Sequence, residues 1–437
     1  MNYAKSEWMV EKFHQIVPGG SHTYSKGDDQ FPTVSPKFIE RAKGAYCWDV
    51  DGNQFLDWAM GNRVMILGHA DSVVNQAVFD AINKGVNFTR PGILEYELAE
   101  YLLDLWPFAE MVKFGKNGSD VTTAAVKLAR AYTEKSYVVV CEDHPFFAIH
   151  DWFIGSTPMH SGVIEEHRQH TLKFKYNDIE SFERLLMEYP NQIAAVILEP
   201  IKNDKPENDF LAKLRSLTKQ HGVVLIFDEM IAGMRFGEKG AHDLYGVYPD
   251  LACFGKAISN GFSFSVLAGQ RDIMMLGGIQ HDKKRVFLLS QTHSSEVVGL
   301  AACRATLDEY LKRNVKKHIL HIGKKLKDGF NNIVKESGIE KHLHILGFSQ
   351  NPQIICTDSH GKYWPELHTL FHQLMIEKGI LIPWISITDS HTDLELNLTL
   401  EAIASVADEL ILHAESPDAV RRKLVGPSVK PVFRAFN

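Results

Sequence analysis

Val223-Val224-Leu225-Ile226-Phe227-Asp228-Glu229 is an unbroken apolar run that ends on two acids. With no polar residue alternating through it, the run suits a strand buried on both faces, as in a parallel sheet, rather than a half-exposed strand. Tyr137-Val138-Val139-Val140 and Ala194-Ala195-Val196-Ile197-Leu198 read the same way. Between these runs lie helical patterns, notably Val121 to Thr133 and Asp178 to Tyr189. From about residue 70 to 300 the alternation predicts an α/β domain with a largely parallel sheet. Asp228 then falls at the carboxyl end of a buried strand, the edge where open α/β sheets bind ligands. A carboxylate there needs a partner, because an unpaired buried charge is expensive. A helix cap or a salt bridge would satisfy it as well as a ligand would.

Two further stretches carry chemistry. Lys256 stands in Leu251-Ala252-Cys253-Phe254-Gly255-Lys256-Ala257-Ile258-Ser259-Asn260-Gly261, flanked by apolar and small residues. Desolvation there lowers a lysine pKa and frees its amine to attack carbonyls; the plainer reading is a lysine snorkelling from a strand end. Lys116-Asn117-Gly118-Ser119-Asp120 leads into the helix from Val121. A Gly-Ser turn at a helix start offers free N–H groups and a hydroxyl at the positive end of the dipole, which is a phosphate cradle. It serves equally as an ordinary N-cap.

The remaining sequence bounds the reading. Of 437 residues, 45% are hydrophobic and 23% charged, with the charges spread along the chain, so one or two sizeable cores are expected. The formal net charge of -7 excludes a nucleic-acid backbone as the main partner, and the short cluster Lys283-Lys284-Arg285 reads as a solvated loop. Five widely spaced cysteines without a CxxC pair give no disulfide framework and no metal site. No apolar run approaches the ~20 residues that span a bilayer, and the N-terminus lacks the apolar core of a signal peptide. A cytoplasmic protein is expected. The first ~35 residues are rich in turn signals. Tyr46-Cys47-Trp48-Asp49-Val50-Asp51-Gly52-Asn53 reads as a β-hairpin turning at Asp51-Gly52. The expected division is an N-terminal segment over 1–60 contributing to the small domain and the active site, a large domain over 61–305, and a C-terminal α+β domain over 306–437.

Taken together and in this order, these motifs resemble the class III, fold-type I pyridoxal-phosphate-dependent aminotransferases, nearest the glutamate-1-semialdehyde aminomutase branch. The resemblance runs from Pro18-Gly19-Gly20 through Trp48-Asp49-Val50-Asp51-Gly52-Asn53 to about Leu300, and more loosely to the C-terminus. Its most specific part extends from Phe227-Asp228-Glu229-Met230 through Gly233-Met234-Arg235 to Phe254-Gly255-Lys256. It implies a large domain with a mostly parallel sheet beside a smaller α+β domain. Pyridoxal 5'-phosphate would be held as a Schiff base on Lys256, which then moves protons as general acid and base. Asp228 would pair with the cofactor's ring nitrogen. Gly118 and Ser119 would hold the phosphate, and Thr292 would reach it from the neighbouring subunit, which implies a homodimer with shared active sites. Phe146 aligns with an aromatic residue that stacks on the ring, with core packing as the alternative, and Glu199 matches a glutamate close to cofactor and substrate.

Departures bear on the substrate. Thr23 and Lys26 stand where the aminomutase pattern has serine and arginine, and a lysine cannot grip a carboxylate bidentately. Arg63, in Met60-Gly61-Asn62-Arg63, is a candidate replacement clamp or a structural arginine. The segment from Pro383 to Thr392 is shorter than its aminomutase counterpart and lacks its glutamate, and Glu296 replaces a usual asparagine. Trp384, His391 and Tyr24 are candidates for a substrate wall, with packing the equal alternative. These features lead to the expectation of a transaminase with ping-pong kinetics. It would move an amino group from an amino acid donor, L-glutamate, to an aldehyde or ketone acceptor such as a sugar or hydroxylated small molecule. The alternative is intramolecular transfer of the aminomutase type. Other pyridoxal-phosphate chemistry and a non-catalytic cofactor-binding protein are the more distant readings.

Overall fold

The computed structural model describes residues 1–144, 146–414 and 416–436. It divides into two compact units, one of residues 72–312 with 433–437, the other of residues 1–71 with 313–432.

The first unit is built on a seven-stranded sheet in the order Met111–Gly115, Ser265–Gly269, Leu251–Phe254, Val224–Asp228, Ile193–Leu198, Tyr137–Cys141, Thr171–Phe174. The last five of these strands are mutually parallel, and Ser265–Gly269 runs against both of its neighbours. Every residue of Ile193–Leu198 and Val224–Asp228 is buried, as the unbroken apolar runs require. Against the sheet lies the helix Gly118–Thr133, whose Val121, Ala124, Ala125 and Leu128 share a core with Val138, Ile197, Ile226 and Cys253. Each large aliphatic side chain so buried contributes about 1.5–3 kcal/mol. This helix begins three residues before its apolar pattern does. The Asp120 carboxylate reaches back to accept the Asn117 N–H at 2.9 Å, which fixes the first turn over Gly118-Ser119. Asp178 starts the helix Ile179–Glu188 from the other end of such a contact, as an N-cap that accepts the Ser181 N–H at 2.9 Å.

The second unit holds a four-stranded sheet, Ile39–Lys43, Tyr46–Asp49, Gln54–Asp57 and the short parallel Ile380–Leu381. It also has the hairpin Leu343–Phe348/Asn351–Cys356 and the helices Val315–Glu336, Pro365–Glu377 and Asp393–Leu410. The expected turn at Asp51-Gly52 is present. Asp49 organises it by accepting the N–H groups of Asp51 and Asn53, and Gly52 takes the left-handed φ of 88°. Among the described residues no helix is long and apolar enough to cross a membrane, and all five cysteines are buried and free.

His391 proves to be a core residue rather than part of a substrate wall. It is fully buried and stacks on Trp58 at 4.1 Å between centroids. One ring nitrogen meets the Thr388 N–H and the other the Asp57 carbonyl. Burial holds it down at about 4, holds His368 at about 4, and depresses its bonded neighbour His372 further. The three imidazoles stay neutral in the folded chain but take up protons when unfolded below pH ~6.5. Their contribution to stability is therefore present above that pH and lost as pH falls, by up to about 1.4 kcal/mol per pH unit for each group. Thermal melting followed from pH 7.5 to 5 is expected to show a steep drop beginning near pH 6.5. His391→Gln should flatten the drop while lowering the plateau; an equal slope in the variant would contradict this assignment.

Candidate active site

The carboxyl edge of the large sheet gathers the polar residues of the first unit. Leu198 pairs with Phe227, so Glu199 leaves its strand beside Asp228; Asp228 pairs with Cys253, three residues before Lys256. Gly118 follows the strand Met111–Gly115, and His144 follows Tyr137–Cys141, at the same edge. Parallel strands deliver their C-terminal residues to one side, so sites far apart in sequence converge there.

Asp228 is the electrostatic centre. Burial pushes it up to about 7, and the nearby Glu199 charge adds to this. The Met230 N–H, donated at 2.9 Å, and Lys256 act in the opposite direction. A carboxyl so placed is stabilised as an anion by any cation brought against it. Lys256 adopts a left-handed φ of 50° immediately beyond its strand, a strained backbone for a residue other than glycine and one that functional positions tolerate. Glu199 is buried, with Lys202 Nζ 3.9 Å from its Oε1. The Glu199 N–H donates to His144 Nδ1 at 2.9 Å, and burial with the Lys202 charge holds His144 at about 3. His144 is therefore a neutral imidazole with its proton on Nε2.

At the helix start, the Ser119 hydroxyl oxygen accepts the Ile149 N–H at 3.1 Å, and Thr122 donates to the Phe147 carbonyl at 2.8 Å. Ser119 keeps its own hydroxyl proton to donate to an anion, beside the first N–H groups of the helix. Met230 packs behind both glycines of the edge. A Cβ on Gly118 would lie 3.1 Å from its sulfur, and one on Gly255 only 2.6 Å. Gly255→Ala is therefore expected to displace Met230 or Lys256, lowering the melting temperature and weakening cofactor retention; overpacking of this kind costs about 1–3 kcal/mol. Pairing it with Met230→Ala should give a loss smaller than the sum of the two single changes. Strict additivity would show that the two positions do not conflict.

Phe146 is 47% exposed, edge-on to Phe153 at 5.9 Å and tilted against Phe433 at 6.3 Å. Thr292 lies in an exposed turn whose carbonyl accepts from Asn87 Nδ2 at 2.8 Å. In the other unit, Thr23 and Lys26 bracket one short turn, joined by the Lys26 N–H to the Thr23 carbonyl at 2.9 Å, and both are exposed. Arg63, at a left-handed φ of 60°, carries its guanidinium 5.8 Å from the ring of Trp384, whose indole N–H donates to the Ala59 carbonyl at 2.9 Å. Glu199, Asp228 and Lys256 thus meet at one edge with the Gly118-Ser119 helix start, Arg63 meets Trp384, and Thr23 meets Lys26.

Sequence reasoning missed His144, Lys202 and the buried pair of Glu229 with His242, at 2.8 Å, in which Glu229 also accepts the N–H groups of Ala241 and His242. Lys202 was within reach as a cation three residues after Glu199. The Glu229–His242 contact has no spacing rule to announce it.

A mostly parallel sheet brings a lysine, a buried aspartate and the start of a long helix to one carboxyl edge, the arrangement expected of a fold-type I pyridoxal-phosphate-dependent enzyme. The chain matches the family model "Aminotransferase class-III" over residues 24–348 and belongs to that family. It is similar to the glutamate-1-semialdehyde 2,1-aminomutases of Desulforamulus reducens, 31% identical with 92% of this chain and 97% of that one covered, and of Methanococcoides burtonii, 30% identical with 92% and 98% covered. Its fold is shared with a transaminase solved with pyridoxal phosphate bound, at TM-score 0.86 and 22% identity, covering 95% of this chain and all of that one. An omega-transaminase from Sphaerobacter thermophilus has the same fold at TM-score 0.83 and 23% identity, with 93% and 98% covered. The cofactor is pyridoxal phosphate, and the residues fit it. The burial-strained Asp228 calls for a cation such as a ring N–H, and the helix start calls for an anion.

Proposed function

We propose that this chain transfers amino groups through pyridoxal phosphate held covalently by Lys256. The observation that carries the proposal is Asp228, buried at a strand end beside Lys256, its carboxyl raised to about 7 by burial and the nearby Glu199 charge although Lys256 opposes the rise. When bound, the cofactor supplies an aldehyde that captures amines and a protonated ring that withdraws electrons from the adjacent carbon. Asp228 keeps that ring nitrogen protonated. Lys256 would move the proton at the substrate carbon. Ser119 and the N–H groups following Gly118 would hold the phosphate, Phe146 would stack on the ring, and Glu199, braced by Lys202 and His144, would stand close to cofactor and substrate. Arg63, 5.8 Å from the ring of Trp384, is a candidate for a substrate carboxylate, and Thr23 and Lys26 are the further substrate candidates.

For the substrate, the names of the relatives support intramolecular transfer on glutamate-1-semialdehyde over transfer to a separate acceptor. Lys26 in place of a bidentate arginine, and the missing glutamate between Pro383 and Thr392, favour the second reading: L-glutamate as donor and a hydroxylated aldehyde, ketone or sugar as acceptor. Incubation with glutamate-1-semialdehyde alone separates them. Conversion to the positional isomer without added donor supports the first. An inert substrate, with L-glutamate yielding one equivalent of 2-oxoglutarate per site, supports the second.

The assignment of Thr292 to the neighbouring subunit's phosphate makes the enzyme a homodimer. A mixed dimer of Thr292→Ala and Lys256→Ala chains then contains one intact site and one doubly altered site. It is expected to regain cofactor retention and turnover at one of its two sites; a purified mixed dimer no better than Thr292→Ala alone would exclude the shared site.

A further inference from the structure

Lys116 and Glu296 form an ion pair across the first unit, with side chains 15% and 12% exposed. Lys116 immediately precedes Asn117 and the start of the helix that cradles the phosphate. Its Nζ also donates to the Ser263 carbonyl at 3.1 Å, while the Ser263 hydroxyl donates back to the Lys116 carbonyl at 3.0 Å. The Ser265 hydroxyl meets the Asn117 carbonyl at 2.9 Å, so the approach to the helix is fixed from several directions. Glu296 immediately precedes the helix Val297–Lys312, accepting the Val298 N–H at 3.0 Å and the Gly299 N–H at 3.3 Å. Its own N–H closes the turn His293–Glu296 that directly follows Thr292, donating to the His293 carbonyl at 3.3 Å. Asn87 Nδ2 on the Thr292 carbonyl and the Val297 N–H on the Val86 carbonyl at 3.0 Å hold the other side of that turn.

A lysine just before a helix N-terminus has the wrong sign for the dipole and opposes the helix unless it is neutralised. Glu296 neutralises it, and the acid that does so is the one at the base of the Thr292 turn. We propose that Lys116 and Glu296 are a positioning pair for the cofactor phosphate: they lock the turn in the arrangement from which Thr292 reaches the second subunit's site, and so tie each subunit's own cradle to the one it completes. The inference rests on the shared-site reading above. It makes Lys116 act through Thr292 rather than by touching the phosphate.

A double-mutant cycle on the full-length dimer separates these roles, read as the dissociation constant for pyridoxal phosphate in an absorbance titration. Lys116→Met, which leaves the Glu296 cap intact, and Thr292→Ala are each expected to weaken binding about tenfold, the scale of one charge-assisted contact. The double variant should be no weaker than Thr292→Ala. Glu296→Gln, which keeps acceptors for the helix N–H groups, should reproduce Lys116→Met. A double variant weakened by the product of the two single effects, about a hundredfold, would overturn the proposal and make Lys116 an independent phosphate contact or a purely structural residue. So would a Glu296→Gln protein with unchanged affinity. Unchanged affinity in Thr292→Ala alone would show that the shared-site reading itself is wrong, and the proposal would fall with it.

Discussion

The Lys256→Ala protein is expected to bind pyridoxal phosphate only reversibly, to lack the absorption band of the lysine-linked cofactor, and to lose amino transfer by a factor of about ten thousand or more. On the proposed assignment two roles disappear together, the covalent anchor and the base that moves the substrate proton, and losses of groups acting as a unit are not recovered piecemeal. The position is specific. Lys256 emerges two residues beyond the strand Leu251–Phe254 with a left-handed backbone, beside the carboxyl of Asp228. Another lysine near the edge, such as Lys202, is engaged with Glu199 and the Asp143 carbonyl and cannot take its place. Steady-state turnover and the spectrum of the loaded variant check the expectation. Persistent turnover with an unchanged band would remove Lys256 from the mechanism.

Asp228→Asn is the second large effect. Asparagine matches the shape and can still accept the Met230 N–H, yet it cannot hold a proton on a ring nitrogen. Turnover is expected to fall by about a hundred- to ten-thousandfold while the cofactor still binds. A second readout needs no catalysis. In the cofactor-free protein Asp228 is raised from the usual carboxylate range to about 7, so the folded chain holds a proton that the unfolded chain has released. That contribution is fully present below the unfolded pKa and is lost as pH rises through about 7. The melting temperature of Asp228→Asn relative to wild type should therefore climb between pH 5 and pH 8 in the apoprotein, and less so once cofactor is bound. The histidine effects are common to both proteins and cancel in the difference. A difference independent of pH would mean that the Asp228 carboxyl is already ionised.

The sheet was legible because its strands are buried on both faces, which leaves runs such as Ala194–Leu198 and Val223–Phe227 without polar interruption. Asp228 and Lys256 were legible for a related reason: a charge directly after such a run sits at the edge where the chain emerges. The helix over Gly118–Thr133 was read three residues short, since its first turn is fixed by Asp120 reaching back to Asn117 and not by apolar spacing. His144 and Met230 were passed over. One acts through the backbone N–H of Glu199, 55 residues away and just past its strand, and the other by filling the space that two separate glycines leave. For His391 the sequence leaves a wall and a packing role equally open, and its burial depends on Trp58, which sequence spacing does not connect to it. Long-range contacts of this kind leave no local period to detect.

Borohydride reduction of the protein loaded with pyridoxal phosphate, followed by peptide mapping, tests the central assignment most directly. Reduction fixes the cofactor to whichever amine carries it. A single modified peptide with the label on Lys256 is the expected result. A labelled lysine elsewhere, or a reduced protein with no label at all, would contradict it.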